Sequence, residues 1–244
     1  MKINTLIIIF VLPIIILLGI LIFLHYQKSQ LKVMDNNLTI IQLAEPKRRG
    51  EISFEETINQ RRSVREYKDE PLTFSEVSQL LWSAQGLNQK GSRVVPSAGA
   101  LYPIEVYVVV KNVEGLASGV YHYLPESHSI EIYLQKEISQ KLADIALGQE
   151  HVLEAPVNII ISGVFSRTTN KYGQRGIQYV YQESGHAAQN VYLQAESLGL
   201  GTVVVGAFNQ SGIDQLFNFK EDQKVLYIMP VGKNSFYKGK NKNS

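Results

Sequence analysis

The sequence predicts an α+β domain with helices around a central sheet, and three observations predict it. Ser53 with Glu56, and Thr73 with Glu76, are hydroxyl caps followed three residues on by glutamate, and each opens a helical pattern. Apolar, β-branched runs such as Ile104-Glu105-Val106-Tyr107-Val108-Val109-Val110 recur as strands. Strands and helices then mix without the strict strand-helix-strand alternation of a parallel, doubly wound sheet.

Residues 6–24 are apolar apart from Gly19 and Pro13. At about 1.5 Å per residue in a helix they come close to the roughly 30 Å of a bilayer's hydrocarbon layer. Residues 1–25 therefore read as one transmembrane anchor. A signal peptide is the competing reading, but the run ends in His25-Tyr26-Gln27-Lys28 rather than at a small-residue cleavage site. Lys2 lies before the run, and Lys28, Lys32, Lys47, Arg48 and Arg49 lie after it. The positive-inside rule then expects a single-pass protein of the cell membrane with its body in the cytoplasm. Residues 26–50 read as a polar linker, 51–238 as one domain and 239–244 as a basic tail.

Within the domain, Ser53 opens a short helix through Ile58. Thr73 opens a second, with Val77, Leu80, Leu81 and Ala84 at helical spacing until Gly86. The strand at 104–110 follows. Val120-Tyr121-His122-Tyr123 and Ile130-Glu131-Ile132-Tyr133 predict a hairpin around Pro125-Glu126-Ser127. Helical pattern returns from 137 to 147, then come an apolar strand over 157–164 and a long helix from 177 to 198, closed by Gly199. Strands at 202–205 and 225–229 complete the sheet, with a short helix near 213–217 between them.

The 244 residues carry a formal net charge of +2 and no cysteine. No long basic face with interleaved aromatics is present, so nucleic acid is not an expected partner. The missing cysteine excludes disulfides, cysteine nucleophiles, thiolate zinc sites and lipoprotein processing. Gly199-Leu200-Gly201 lies between a helix and a strand, the reverse of a dinucleotide fingerprint. No Gly-x-Ser-x-Gly elbow is present. His122 and His128 flank the hairpin loop, where they are expected to be exposed, and no metal site is expected.

Arg61-Arg62-Ser63-Val64-Arg65 places three guanidinium groups and a hydroxyl in five residues. Guanidinium donors match phosphate oxygens in pairs, and serine adds a short donor. The cluster is either a phosphate grip or a solvated basic helix end. Pro96-Ser97-Ala98-Gly99 is likewise either a strand-entry turn or a turn whose small residues admit a cofactor.

Arg61 to Tyr67, Leu80-Leu81-Trp82-Ser83-Ala84-Gln85-Gly86 and Pro96 to Glu105 resemble the flavin-dependent nitroreductase superfamily in its SagB/ThcOx-type branch. The likeness continues through Gly119 to Tyr123, Lys171-Tyr172, Gly185-His186, Val205-Gly206-Ala207-Phe208 and Pro230-Val231-Gly232-Lys233. It implies a nitroreductase-like, FMN-dependent fold over residues 51–238, a central mixed sheet surrounded by helices, and the apolar run read as a transmembrane helix precedes that domain. It also implies a homodimer with flavin at the subunit interface.

By that resemblance Arg61, Ser63 and Arg65 hold the FMN phosphate, with Arg62 on the ribityl or pyrimidine side. Pro96, Ser97, Ala98 and Gly99 approach the cofactor, and Ser97 bonds the ribityl chain or ring edge. Val204, Val205, Gly206 and Ala207 press backbone on the isoalloxazine. Lys233 adds a phosphate contact, with Lys238 or Lys240 as the alternatives.

In the azoline-oxidising branch a Lys-Tyr pair before the long helix is associated with catalysis, and here the pair is Lys171-Tyr172. Turning an azoline into an azole moves a hydride to flavin and needs a base for a carbon-bound proton. The other reading of the pair is an exposed loop without catalytic duty. Tyr179, Glu183, His186 and Asn190 share one helix face, and Gly185, Ala187 and Ala188 would let a second helix approach as a dimer core needs. Ile177-Gln178 and Glu183 depart from the Tyr-Arg and Asp common in the branch.

The expected function is that of an FMN-dependent oxidoreductase, a SagB-type dehydrogenase acting on a modified peptide or small molecule, with a peptide-modification complex as a further partner. One alternative is a nitroreductase or quinone reductase with NAD(P)H as reductant. The other is a membrane-tethered flavoprotein that serves as a scaffold without turnover.

Overall fold

In the computed structural model the described residues are 40–219 and 222–236. The strands are β1 (Ile40–Gln42), β2 (Leu72–Thr73), β3 (Ile104–Val110), β4 (Val113–Glu114), β5 (Gly119–Leu124), β6 (Ser129–Leu134), β7 (Val157–Val164), β8 (Leu200–Thr202) and β9 (Gln223–Lys233). The helices are α1 (Phe54–Gln60), α2 (Phe74–Gln85), α3 (Ser139–Ile145), α4 (Glu150–Glu154), α5 (Phe165–Tyr172), α6 (Arg175–Ser197) and α7 (Gln210–Phe217).

Seven strands form one sheet in the order β1-β6-β5-β3-β7-β9-β8. Every pairing in it is antiparallel, so the expected mixed sheet is corrected. Parallel pairing is confined to the separate two-stranded β2-β4.

The strands β3 and β7 are central because both their faces are apolar. Val106, Val108 and Val110 enter a core shared with Leu80 and Leu81 of α2 and Val180 and Val191 of α6. Tyr107 and Val109 enter a second core with Leu142 of α3, Val152 of α4 and Phe217 of α7. Alternate side chains of one strand thus point into opposite layers.

Both predicted caps form. Ser53 accepts from the Glu56 N–H, and Thr73 and Glu76 make a reciprocal capping box. Of the small residues of α6 expected to admit a second helix, Gly185 has open space beside it, whereas the two alanines are already covered. Ala187 and Ala188 are buried in the chain's own core, where α6 lies along α2. Asn190 Nδ2 donates to the Ser83 carbonyl at 3.1 Å, and Gln79 Nε2 to Gln194 Oε1 at 3.0 Å.

The anchor expected over residues 6–24 lies outside the described residues. Among the described residues no helix is long and apolar enough to cross a membrane. The membrane-anchored architecture and the single-pass location are accordingly withdrawn, and the α+β class stands. Part of the expected linker is ordered: Ile40–Gln42 extends the sheet along β6, and Leu43 is buried.

The two hairpin histidines are not exposed. His128 Nε2 bonds the Ala44 carbonyl at 2.9 Å and its Nδ1 meets the Tyr123 hydroxyl at 2.8 Å. His122 lies between two carboxylates on neighbouring strands, Glu105 and Glu131. Their separation in sequence hid this pairing, which only strand register creates.

Candidate functional site

The arginine cluster begins where α1 ends, at Arg61. Val64 pins it: its N–H donates to the Thr202 carbonyl at 2.9 Å and its side chain is buried against β8. Gly201 makes this possible, since a Cβ there would stand 2.4 Å from Val64 Cγ1. Arg62, Ser63 and Arg65 are exposed around this buried valine, and Arg61 is half-buried.

Arg61 lies over the Tyr192 ring at 5.1 Å and Arg62 over the Phe236 ring at 4.7 Å. No arginine of the cluster makes an ion pair among the described residues. Glu196 is near, but burial pushes its carboxyl up, against the pull of Arg62 and Arg61. A group of fork-shaped cations without a bound carboxylate fits a phosphate.

Tyr192, which sequence reasoning did not single out, joins this cluster to the next segment. Its hydroxyl accepts the Val204 N–H at 2.8 Å and stands 3.2 Å from Ser63 Oγ. Val205 exchanges two backbone bonds with Ile228, at 2.8 and 3.0 Å, and is buried. Gly206 and Ala207 then emerge to the surface with N–H groups that meet no acceptor among the described residues. Such free donors at a small-residue bend fit a flat polar ligand edge.

A second cluster surrounds Pro96-Ser97-Ala98-Gly99. Ser97 Oγ accepts the Tyr102 N–H at 2.9 Å, and Glu183 of α6 accepts the Ala98 N–H at 2.9 Å. Burial raises the Glu183 carboxyl, against the bonds from Ala98 and Ser97 and the nearby His186. Gly99 is at φ +62°, and a Cβ there would stand 2.7 Å from Tyr172 Oη and 2.9 Å from Lys171 Nζ. Lys171 and Tyr172 therefore lie on the expected cofactor turn, at the end of α5 rather than in a loop. Tyr172 also packs edge-on against Tyr179, with ring centres 5.2 Å apart.

The two clusters share α6, through Glu183 and Tyr192. Nine residues of helix separate those contacts by about 13 Å. Lys233 bonds Glu76 Oε1 at 2.5 Å, which ties it to the α2 cap. Lys238 and Lys240, its expected alternatives, lie outside the described residues.

The layered fold and the paired clusters along one helix are those of a nitroreductase-family oxidoreductase. The nitroreductase family model matches residues 58–233, and the chain belongs to that family. A candidate nitroreductase of Methanocaldococcus jannaschii is 50% identical over 184 residues, covering 75% of this chain and 92% of that protein. The microcin B17-processing protein McbC of Escherichia coli is 30% identical over 162 residues. That match covers 64% of this chain and 59% of McbC. A chain of the Escherichia coli microcin synthetase McbBCD complex with truncated pro-MccB17 superposes with a TM-score of 0.62 at 27% identity. It covers 84% of this chain and 80% of that one. These peptide-processing relatives support the SagB/ThcOx-type branch within the superfamily.

Proposed function

We propose that this protein is an FMN-dependent, SagB-type dehydrogenase that oxidises azoline rings in a modified peptide or a related small substrate. The observation that carries this reading is the meeting of Lys171 Nζ and Tyr172 Oη over Gly99. Bound FMN would supply the hydride acceptor for the two electrons that leave the ring. Lys171 and Tyr172 together manage the carbon-bound proton, since both heads reach the same point above the turn. Lys171 is exposed in the single chain, so exclusion of water falls to the substrate or a second subunit.

Arg61, Ser63 and Arg65 would hold the phosphate, with Arg62 on the ribityl or pyrimidine side. The Ser97 turn and the Val204–Ala207 backbone would meet the rest of the cofactor. The FMN-binding domain spans residues 51–238, with β1 contributed from the segment before it. The protein acts as a homodimer with FMN at the subunit interface, within a peptide-modification complex.

The second reading is an NAD(P)H-dependent nitroreductase, favoured by the half-identical methanogen relative. One experiment separates them: the visible spectrum of the full chain, reconstituted with FMN, is followed without oxygen after adding NADPH or a thiazoline-bearing peptide. Bleaching by the peptide supports the dehydrogenase and bleaching by NADPH alone the reductase. A chain that takes up no flavin rejects both.

A further inference from the structure

The helix α5 has weak local reasons to stay where it is. It has eight residues, no side-chain cap at Val164, and only Thr168 fully buried. Helices of this length are marginal without tertiary contacts. Phe165 N–H donates to the Asp222 carbonyl at 3.0 Å, and the Ser166 hydroxyl bonds the Asp222 carboxylate. Those contacts fix its first turn. The rest is held by packing on α6, where Gly176 meets the Thr168 backbone, and by Arg167, one helical turn before Lys171 and on the same side.

Arg167 Nη2 meets Glu105 Oε1 at 2.5 Å, and its Nη1 donates to the Tyr102 carbonyl at 2.9 Å. Tyr102 in turn donates its N–H to Ser97 Oγ. One guanidinium therefore grips both the helix that carries Lys171 and the turn that carries Gly99. Glu105 is itself held. Its Oε2 lies 2.8 Å from His122 Nε2, and His122 Nδ1 lies 2.9 Å from Glu131 Oε1. An ionised carboxylate only accepts hydrogen bonds, so both ring nitrogens donate and the ring is an imidazolium. Tyr107 stacks on that ring at 4.5 Å. Two carboxylates, one imidazolium and one guanidinium make a neutral set across β3, β5, β6 and α5.

We propose that Arg167 is the positioning residue for the Lys171–Tyr172 pair, braced by Glu105, His122 and Glu131. The inference rests on the catalytic reading of that pair. Its test compares Arg167→Gln, Glu105→Gln and Lys171→Ala in the full chain loaded with FMN, with a thiazoline-bearing peptide as substrate. Displacing a reacting group by about 1 Å costs on the order of 100-fold. Arg167→Gln is expected to lower kcat by roughly 10- to 100-fold while KM and bound FMN stay at wild-type values. Amide exchange in residues 165–172 of the apoprotein should rise about tenfold, with β3 unchanged.

A wild-type kcat in Arg167→Gln overturns the inference, whatever the exchange shows. If that variant does not fold, Glu105→Gln decides on the same criteria. Lys171→Ala keeps the two readings apart. If it retains full rate the catalytic pair is wrong and the positioning role falls with it. If it is inactive while Arg167→Gln is unimpaired, only the positioning role falls.

Discussion

Gly99 takes a left-handed conformation, φ +62°, with the Lys171 amine and the Tyr172 hydroxyl directly over it. Alanine there would meet backbone strain of about 1 kcal/mol, and its methyl would displace the flexible ends of Lys171 and Tyr172. We expect Gly99→Ala to lose about 1 kcal/mol in urea unfolding and on the order of 100-fold in azoline oxidation. A loss of rate no larger than the loss of folded protein would remove Gly99 from the site. Tyr192 offers a second test at this scale. Tyr192→Phe deletes the acceptor of the Val204 N–H and the neighbour of Ser63 Oγ. It should cost about 1 kcal/mol of stability and weaken FMN binding about tenfold by fluorescence titration. Unchanged FMN affinity would show that the link from Ser63 to Val204 has no part in holding the cofactor.

At the scale of elements, a segment was legible when its reason for forming was local. The Ser53 and Thr73 caps, the β-branched runs and Gly86 all act within a few residues, and those elements stand as read. The helix α5 was missed because Phe165-Ser166-Arg167-Thr168-Thr169-Asn170 has neither a cap nor an apolar stripe. Its supports come from Asp222, Glu105 and the Tyr102 carbonyl, all distant in sequence, and from packing on α6, which comes only after it in the chain. The histidines were misread for the same cause, since register alone sets His122 beside Glu131 and near Glu105. That brace has a pH signature. Burial pushes the His122 ring down, but bonds to Glu105 and Glu131 outweigh it and raise its pKa. Burial pushes Glu105 up, but His122 and Arg167 together hold its carboxyl below the usual range. The His122 contribution is full below about pH 6.5 and fades as pH rises through its raised value. The Glu105 contribution is full above about pH 4.3 and fades as pH falls through its lowered value. The Tm difference between wild type and His122→Gln should therefore be widest between about pH 4.3 and 6.5 and narrow on both sides. A difference independent of pH in calorimetry from acid to mild alkali would show that His122 carries no charge there.

Across the whole molecule, one helix organises the site. Glu183 of α6 holds the Ser97 turn while Tyr192, nine residues on, holds the arginine cluster. The single chain thus presents the proposed phosphate-binding end and the proposed chemical end about 13 Å apart along α6. In the proposed homodimer a second subunit would close over that interval, and the surface next to the arginine cluster is apolar enough to receive it. Phe54 and Ile58, one turn apart on α1, are 63% and 50% exposed, and Phe236 beneath Arg62 is 52% exposed. Among the described residues these side chains belong to neither core. Surface substitutions of that kind usually change monomer stability by less than about 0.5 kcal/mol. Phe54→Asp combined with Ile58→Asp is therefore expected to leave the fold intact by circular dichroism while converting a dimer to a monomer in sedimentation. FMN occupancy should fall in parallel, because a cofactor site shared between subunits is incomplete in either one alone. A double variant that stays dimeric with full FMN would move the subunit interface away from α1, and one that is monomeric yet fully loaded would place the whole cofactor site within a single chain.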